Sequence, residues 1–173
     1  MKYIEQSEMN IYDKYAEFYD LIYHDKDYQG EVNYIDSLIK KYFTHIDSAH
    51  EVSILELGCG TGKHASFLAE KGYQVCGVDI SEKMVEDARV RLESCHKIKN
   101  KIKYYVGDIR SFNLDQKFDV AMSLYHVFSY QTKNIDILNT LKNAAQHLNK
   151  NGVLIFDCWY GPAVLCNLPQ ARV

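Results

Sequence analysis

The fold is indicated most clearly by the stretch Ile54-Leu55-Glu56-Leu57-Gly58-Cys59-Gly60-Thr61-Gly62. Its first half is apolar apart from one carboxylate, which is typical of a buried strand. Its second half has glycine at three alternate positions, which predicts a tight turn from a strand into a helix. Only glycine lets the backbone turn this sharply and lets a ligand lie against bare main chain. We therefore expect a ligand at the carboxyl end of a buried strand.

A second apolar strand is predicted over residues 73–78 and is followed at once by Asp79. The two oxygens of a carboxylate at this place can accept hydrogen bonds from both hydroxyls of a ribose. A dinucleotide is the main alternative ligand, but its G-x-G-x-x-G fingerprint differs from the G-x-G-x-G found here. Glu56 would also repel a pyrophosphate, whereas it suits a ligand that carries an ammonium group and a sulfonium. The residues favour S-adenosylmethionine over NAD.

Three motifs together resemble the class I S-adenosylmethionine-dependent methyltransferases. They are E-L-G-C-G-T-G at residues 56–62, V-D-I-S at residues 78–81 followed by Met84, and V-G-D-I at residues 106–109. A narrower resemblance, to small methyltransferases of sugar-modifying pathways, rests on residues 12–20 and 159–165. Some of those enzymes N-methylate the amine of a nucleotide-linked aminosugar.

The resemblance implies how the cofactor would be held. The backbone of Gly58, Cys59 and Gly60 would lie along its methionine part, and Glu56 would attract its ammonium group. Asp79 would bind the ribose. The other expected cofactor-binding residues follow strands two to four: Ile80 and Met84 beside the adenine, Asp108 accepting from the adenine amine, Ile109 and Leu124. Each residue also has a structural interpretation, such as a helix cap for Asp79, a turn for Asp108 and core packing for Met84.

Tyrosines near the amino terminus suggest a cover for this site. Tyr12, Tyr15 and Tyr19 fall within one stripe of a helix predicted over residues 9–23. One interpretation is that these tyrosines pack in the hydrophobic core. The other is that they form a lid in which Tyr12 or Tyr19 donates its hydroxyl to the ligand carboxylate.

His126 is the candidate general base because it follows strand four, where the family places groups on the substrate side. Histidine as a residue type suits that task, because its proton exchange lies near neutral pH, although a structural histidine is the alternative. The other six histidines are expected to be solvated, and His64 to start a helix. No cluster of residues has the spacing of metal ligands, so no metal is expected.

The order of elements predicts an α/β fold with a doubly wound, mostly parallel, Rossmann-like sheet and helices on both faces. Strands are expected at residues 52–57, 73–78, 102–106, 118–124 and 153–159. Helices are expected at residues 9–23, 28–43 and 63–71, after Ser81, and at 135–148, where Asn149–Gly152 ends the helix. Residues 1–50 would form a helical lid segment and residues 51–173 the S-adenosylmethionine-binding core.

Class I methyltransferases usually end in two further strands, which this chain lacks after the fifth. We therefore expect a core truncated at its C-terminus. The open edge of the fifth strand would favour association, which makes a homodimer an expected partner.

Composition narrows the functional classes. The net charge is −3 with a pI of about 6.1 and no basic block, so nucleic acid is not an expected partner. No apolar run is long enough to span a bilayer. The five cysteines have no C-x-x-C pair, and Cys59, Cys76 and Cys158 are expected to be buried in a reducing cytoplasm.

We expect methyl transfer to a small-molecule acceptor. The alternatives are a protein that binds the cofactor without catalysis and an NAD-dependent oxidoreductase.

Overall fold

A computed structural model describes residues 18–43 and 51–166 of the chain. The helices are α1 (Tyr28–Tyr42), α2 (Lys63–Glu70), α3 (Glu82–Glu93), α4 (Asn134–Gln146) and α5 (Gly161–Cys166). The strands are β1 (Ser53–Leu57), β2 (Gln74–Asp79), β3 (Ile102–Val106), β4 (Phe118–Ser123) and β5 (Leu148–Phe156). Residues 18–22 are also helical. The predictions for Tyr12 and Tyr15 lie outside the described residues.

The five strands form one parallel sheet in the order β3-β2-β1-β4-β5. The chain runs outward from β1 through β2 to β3 and then returns to the other side of β1 with β4. The strand order therefore reverses between β1 and β4, and in open parallel sheets ligands bind beyond the carboxyl ends of the strands at such a point. The prediction of a parallel, doubly wound α/β sheet is confirmed.

Each face of the sheet carries its own apolar core because successive side chains of a strand point to opposite faces. On one face, Ile54 packs with buried residues of α1, α2 and α3, including Val32, Leu68 and Val85. On the other face, Leu55 and Leu57 pack with a cluster that includes Ala144 of α4. Helices thus cover both faces and hold the strand ends at one rim.

The bounds of β5 differ from the sequence prediction. The structure ends α4 at Gln146 and begins β5 at Leu148, so residues 149–152 belong to an irregular part of the strand. Phe118 of β4 pairs with Leu148 and Val120 with Val153, so β5 carries three more residues than β4 across this interval. The Asn149 side chain donates to Asp119 Oδ1 over 2.8 Å, and Asn151 has a φ of 67°. Polar turn residues thus form a bulge here.

Several burial predictions were wrong. Cys158 is exposed because it follows the end of β5, whereas Cys59 and Cys76 are buried as expected. His64 and His147 are buried, not solvated, because each has hydrogen-bonding partners inside the fold. Within the part of the chain that the structure describes, no helix is both long and apolar enough to cross a membrane.

Candidate cofactor site

The glycine loop joins β1 to α2 and forms the floor of a cavity at the rim where the strand order reverses. Gly58, Gly60 and Gly62 all have positive φ, at 76°, 53° and 74°. The N–H groups of Gly58 and Cys59 both donate to the carbonyl of Val78, over 2.8 and 3.1 Å. The loop is therefore tied to the end of β2, where Asp79 is the last residue.

The three glycines are required for different reasons. A Cβ at Gly58 would come within 2.6 Å of the Val127 side chain, and one at Gly62 would collide with the Tyr104 hydroxyl. A Cβ at Gly60 would meet no atom within 4 Å, although Gly60 lines the cavity. Packing thus explains Gly58 and Gly62, whereas Gly60 leaves bare main chain beside open space. That arrangement fits a ligand that lies against the loop.

Asp79 is oriented by backbone donors on both sides. Its Oδ2 accepts from the N–H of Gly60 over 2.8 Å, and its Oδ1 accepts from the N–H of Ser81 over 2.9 Å. The helix cap that was the alternative role of Asp79 is provided by Ser81, whose hydroxyl accepts from Met84 N. Asp79 lines the cavity, so the glycine loop and the end of β2 present one fixed carboxylate to a ligand.

The end of β3 contributes Asp108, Ile109 and Arg110, and all three line the cavity. The Arg110 guanidinium donates to both oxygens of Asp108, and its Nη1 lies 3.5 Å from Asp136 Oδ1 in α4. Burial alone would raise the pKa of Asp108, but the hydrogen bonds from Arg110 outweigh it and hold the pKa below its usual value. Asp108 is therefore a fixed negative group at neutral pH.

The segment after β4 forms the opposite wall. Leu124, Tyr125 and Val127 line the cavity, whereas His126 is not among the lining residues. Tyr125 and His126 both have a φ of 63°, and their N–H groups donate to the Asp157 carboxylate over 3.0 and 2.7 Å. The His126 ring packs on the rings of Tyr125 and Trp159.

The described part of the amino-terminal segment covers the cavity. Tyr19, Tyr23 and Tyr28 line it. Asp20 accepts a hydrogen bond from Thr61 Oγ1 over 2.8 Å and pairs with Lys63 and Arg91. This segment is thus fixed to the glycine loop and to α2 and α3.

Comparison with known proteins identifies the family. A model described as a methyltransferase domain matches residues 54–152, which is more than half of the chain. The chain belongs to the class I S-adenosylmethionine-dependent methyltransferases. This confirms the family and the cofactor that the glycine loop and the motifs at the strand ends predict.

Individual relatives agree with this family. The chain is 28% identical over 150 residues to dTDP-3-amino-3,4,6-trideoxy-alpha-D-glucopyranose N,N-dimethyltransferase from Streptomyces venezuelae, which covers 86% of this chain and 58% of the relative. The crystal structure of Streptomyces venezuelae DesVI matches with a TM-score of 0.72 and 28% identity, over 84% of this chain and 58% of that one. An S-adenosylmethionine-dependent methyltransferase from Clostridium acetobutylicum matches with a TM-score of 0.70 and 28% identity, over 86% and 57%. The chain therefore spans little more than half the length of these relatives.

Glu56 lies behind the glycine loop and is not among the residues that line the cavity. It shares a face of β1 with Ile54, so its side chain points towards α1 and α2, where His64 Nδ1 lies 3.7 Å from its Oε1. Its Oε2 has no hydrogen-bond partner among the described residues. Burial, together with nearby Asp79, raises the pKa of Glu56 to about 8. At neutral pH the side chain is mostly uncharged, so it attracts a cation less than the sequence suggested.

His64 connects this buried acid to the amino-terminal segment. Its Nε2 lies 2.7 Å from Glu31 Oε2 in α1. The hydrogen bond from His64 lowers the pKa of Glu31 to about 2, with Lys26 contributing in the same direction. The helix start predicted for His64 is confirmed, since it is the second residue of α2.

Sequence reasoning missed several residues that line the cavity. They are Tyr23, Tyr28, Thr61, Lys63, His64, Arg110, Val127, Tyr130 and Gln131. Tyr23 could have been found, because it follows Tyr19 by four residues and so lies on the same face of a helix. Tyr28, Tyr130 and Gln131 enter the cavity through tertiary packing, for which no local pattern gives a signal.

Proposed function

We propose that this chain transfers a methyl group from S-adenosylmethionine to the amine of a nucleotide-linked sugar. The observation that carries the proposal is the arrangement of Asp79 and Gly60 at the point where the strand order reverses. A fixed carboxylate joined to bare main chain fits a ribose and an extended amino-acid tail. The Streptomyces relative, named as an N,N-dimethyltransferase of a dTDP-linked aminosugar, supports the acceptor class.

In this proposal, different residues bind different parts of the cofactor. Asp79 accepts the ribose hydroxyls, and the main chain of Gly58, Cys59 and Gly60 lies along the methionine part. Ile80 and Met84 flank the adenine, with Ile109 and Leu124 as further apolar contacts. Asp108, fixed by Arg110, accepts from the adenine amine. Tyr19 donates its hydroxyl to the carboxylate of the cofactor. Glu56 attracts the ammonium group of the cofactor from behind the glycine loop.

The bound cofactor supplies a methyl group activated by a neighbouring sulfonium, which is the difficult part of the chemistry. The protein aligns the acceptor nitrogen with the methyl carbon, and alignment of this kind contributes several kcal/mol to catalysis. The tyrosines of the amino-terminal segment shield the reacting atoms from water. A proton must leave the methylated nitrogen, and His126 stays a predicted acceptor for it. His126→Ala is expected to lower turnover more than cofactor affinity.

The test is methyl transfer from labelled S-adenosylmethionine to a dTDP-linked aminosugar. The matched control acceptor carries a hydroxyl in place of the amine. The proposal expects label on the amine and none on the hydroxyl sugar. Cofactor binding without transfer to the aminosugar would contradict it and would favour the non-catalytic alternative. We also propose a cytoplasmic location, assembly as a homodimer and no nucleic-acid partner.

A further inference from the structure

Five tyrosines form part of the cavity wall. This tyrosine cage consists of Tyr19, Tyr23, Tyr28, Tyr125 and Tyr130. Three of its members come from the amino-terminal segment and two from the segment after β4. Asp79 is the last residue of β2 and Asp108 follows β3, and both strands lie on the side of β1 opposite to β4. The cavity thus has an acidic side and an aromatic side, with the glycine loop between them.

The rings of the cage are set at steep angles. The centroids of Tyr19 and Tyr23 are 4.8 Å apart with planes 58° apart, and those of Tyr23 and Tyr125 are 5.0 Å apart at 81°. Because their planes are steeply inclined to one another, the faces of these rings point in different directions. Burial, and then neighbouring Tyr23, raise the pKa of Tyr130, so its phenol is neutral at physiological pH. The cage therefore offers electron-rich faces without formal charge.

Two rings of the cage already hold ammonium groups. Lys26 Nζ lies 4.2 Å from the centroid of Tyr28 and 4.6 Å from that of Tyr125. Lys63 Nζ lies 4.9 Å from the Tyr28 centroid. Distances below about 6 Å are those of favourable cation–π contacts. These rings therefore already make cation–π contacts, and the two lysine charges are compensated because Lys26 pairs with Glu31 and Lys63 with Asp20.

Tyr125 is held in place by a strained turn. Left-handed backbone is unfavourable for a bulky side chain such as tyrosine, yet Tyr125 adopts it, as His126 does next to it. The Asp157 carboxylate, at the end of β5, accepts both of their N–H groups and so stabilises the turn. Strain of this kind persists where the surrounding structure enforces it, often at functional sites. Here it fixes one ring of the cage.

We propose that the tyrosine cage binds the alkylammonium group that methyl transfer creates on the acceptor, an inference that rests on the proposed function. The nitrogen lone pair forms the bond to the methyl carbon while the carbon–sulfur bond breaks. The positive charge thereby leaves the sulfur and develops on the nitrogen, which later gives its proton to the general base, for which His126 is the predicted residue. Electron-rich faces placed where this charge develops stabilise it more than the neutral amine.

The probe is choline, whose trimethylammonium group carries the charge, compared with its uncharged isostere 3,3-dimethyl-1-butanol. Both are titrated by calorimetry into the chain saturated with S-adenosylhomocysteine. We expect choline to bind at least fivefold more tightly than the isostere. Tyr23→Leu is expected to weaken choline binding by about five- to thirty-fold, whereas Tyr23→Phe, which keeps the ring, retains most of it. Tyr34→Leu, at an exposed tyrosine of α1, is the matched control.

The possible results show whether the cage binds the ammonium group of the acceptor or the sulfonium of the cofactor. Equal binding of choline and its isostere, or equal effects of Tyr23→Leu and Tyr23→Phe, would overturn the inference. If Tyr23→Leu weakens S-adenosylmethionine but spares S-adenosylhomocysteine, the cage serves the sulfonium and the acceptor assignment is wrong. Binding of S-adenosylhomocysteine shows that a variant is folded and that the cofactor site is intact. Failure of the parent chain to bind it would instead contradict the proposed function.

Discussion

At the scale of single residues, we propose that ribose binding depends on Asp79. Asp79→Ala removes the carboxylate that the Gly60 and Ser81 N–H groups orient. We expect it to weaken S-adenosylmethionine binding by roughly 1–3 kcal/mol, because the ribose hydroxyls lose a charged acceptor. Calorimetric titration measures this loss. Asp115→Ala, at an exposed aspartate outside the cavity, should leave the affinity unchanged; an unchanged affinity in Asp79→Ala would exclude the ribose role.

Glu56 gives the stability of the fold a pH dependence of known sign. Its pKa is about 8 in the folded chain, against an ordinary value of 4.5, so between these values the folded chain keeps a proton that the unfolded chain releases. The stability that Glu56 contributes to the fold is thus fully present below pH 4.5. It is lost progressively as the pH rises to 8. Glu56→Gln should remove this loss, raising stability relative to the parent by about 1 kcal/mol per pH unit in that window.

Urea unfolding of parent and variant at pH 5 and pH 8 tests this assignment. Glu31→Gln is the contrasting variant, because the pKa of Glu31 is lowered to about 2. Glu31 contributes stability above pH 4.5, and that contribution is lost as the pH falls towards 2. Its effect relative to the parent should therefore be the same at pH 5 and pH 8. A difference between Glu56→Gln and the parent that does not grow with pH would refute the raised pKa.

The sequence located these residues but could not show where each side chain points. Glu56 was expected at the ligand, and the alternation of β1 places it on the face of the sheet that packs against α1 and α2. Both neighbouring positions, Leu55 and Leu57, are apolar and buried, so the pattern does not say which face meets the ligand. His126 follows β4 as the sequence predicted. The strained turn, however, brings Tyr125 and not His126 to the cavity wall.

At the scale of elements, the glycine loop is the unit whose backbone makes the site. Gly60→Ala adds a methyl group beside the cavity at a φ of 53°, which costs about 1 kcal/mol in backbone strain. We expect cofactor affinity to fall at least tenfold, because the methyl group occupies space that the ligand needs. Gly72→Ala is the matched control: it also has a positive φ, of 109°, and an added Cβ there meets open space, but it lies outside the cavity.

Affinity and stability must be measured together for this pair. Gly72→Ala should lower the urea midpoint and leave affinity for S-adenosylmethionine unchanged. Gly60→Ala should lower affinity by more than its loss of stability explains. Similar affinity losses in the two variants would mean that the glycines serve folding alone.

Most element positions followed from the sequence because the signals were local. Apolar runs predicted β1 to β4, and amphipathic patterns predicted α1 to α4, each within a few residues. The bounds of β5 did not follow, because Asn149–Gly152 has the composition of a turn. Its place in the sheet depends on Asp119 of β4, which accepts from Asn149, and such a contact between distant residues leaves no local pattern.

At the scale of the whole molecule, we expect the amino-terminal segment and the core to act as one site. Asp20 joins the segment to Thr61, Lys63 and Arg91. We expect Asp20→Ala to increase amide hydrogen exchange over residues 18–31, because the segment loses these contacts with the glycine loop and α3. Cofactor should protect this segment and the glycine loop together in the parent.

Asp25→Ala is the control for this experiment, since Asp25 lies in the same segment and is highly exposed. It should leave exchange at residues 18–31 unchanged. Equal exchange in the parent and Asp20→Ala would show that Asp20 does not fix the segment. Protection of the glycine loop without protection of residues 18–31 would show that the segment is not part of the cofactor site. The sequence suggested a lid from its tyrosines, but the ion pairs that fix it join residues distant in the chain.

We propose that the glycine loop and Asp79 together hold S-adenosylmethionine. The decisive measurement is a crystal structure of the chain with S-adenosylhomocysteine. We predict that the ribose hydroxyls lie within hydrogen-bonding distance of the Asp79 carboxylate and that the amino-acid tail lies along Gly58–Gly60. Density for the ligand elsewhere, with the five-stranded sheet intact, would contradict it.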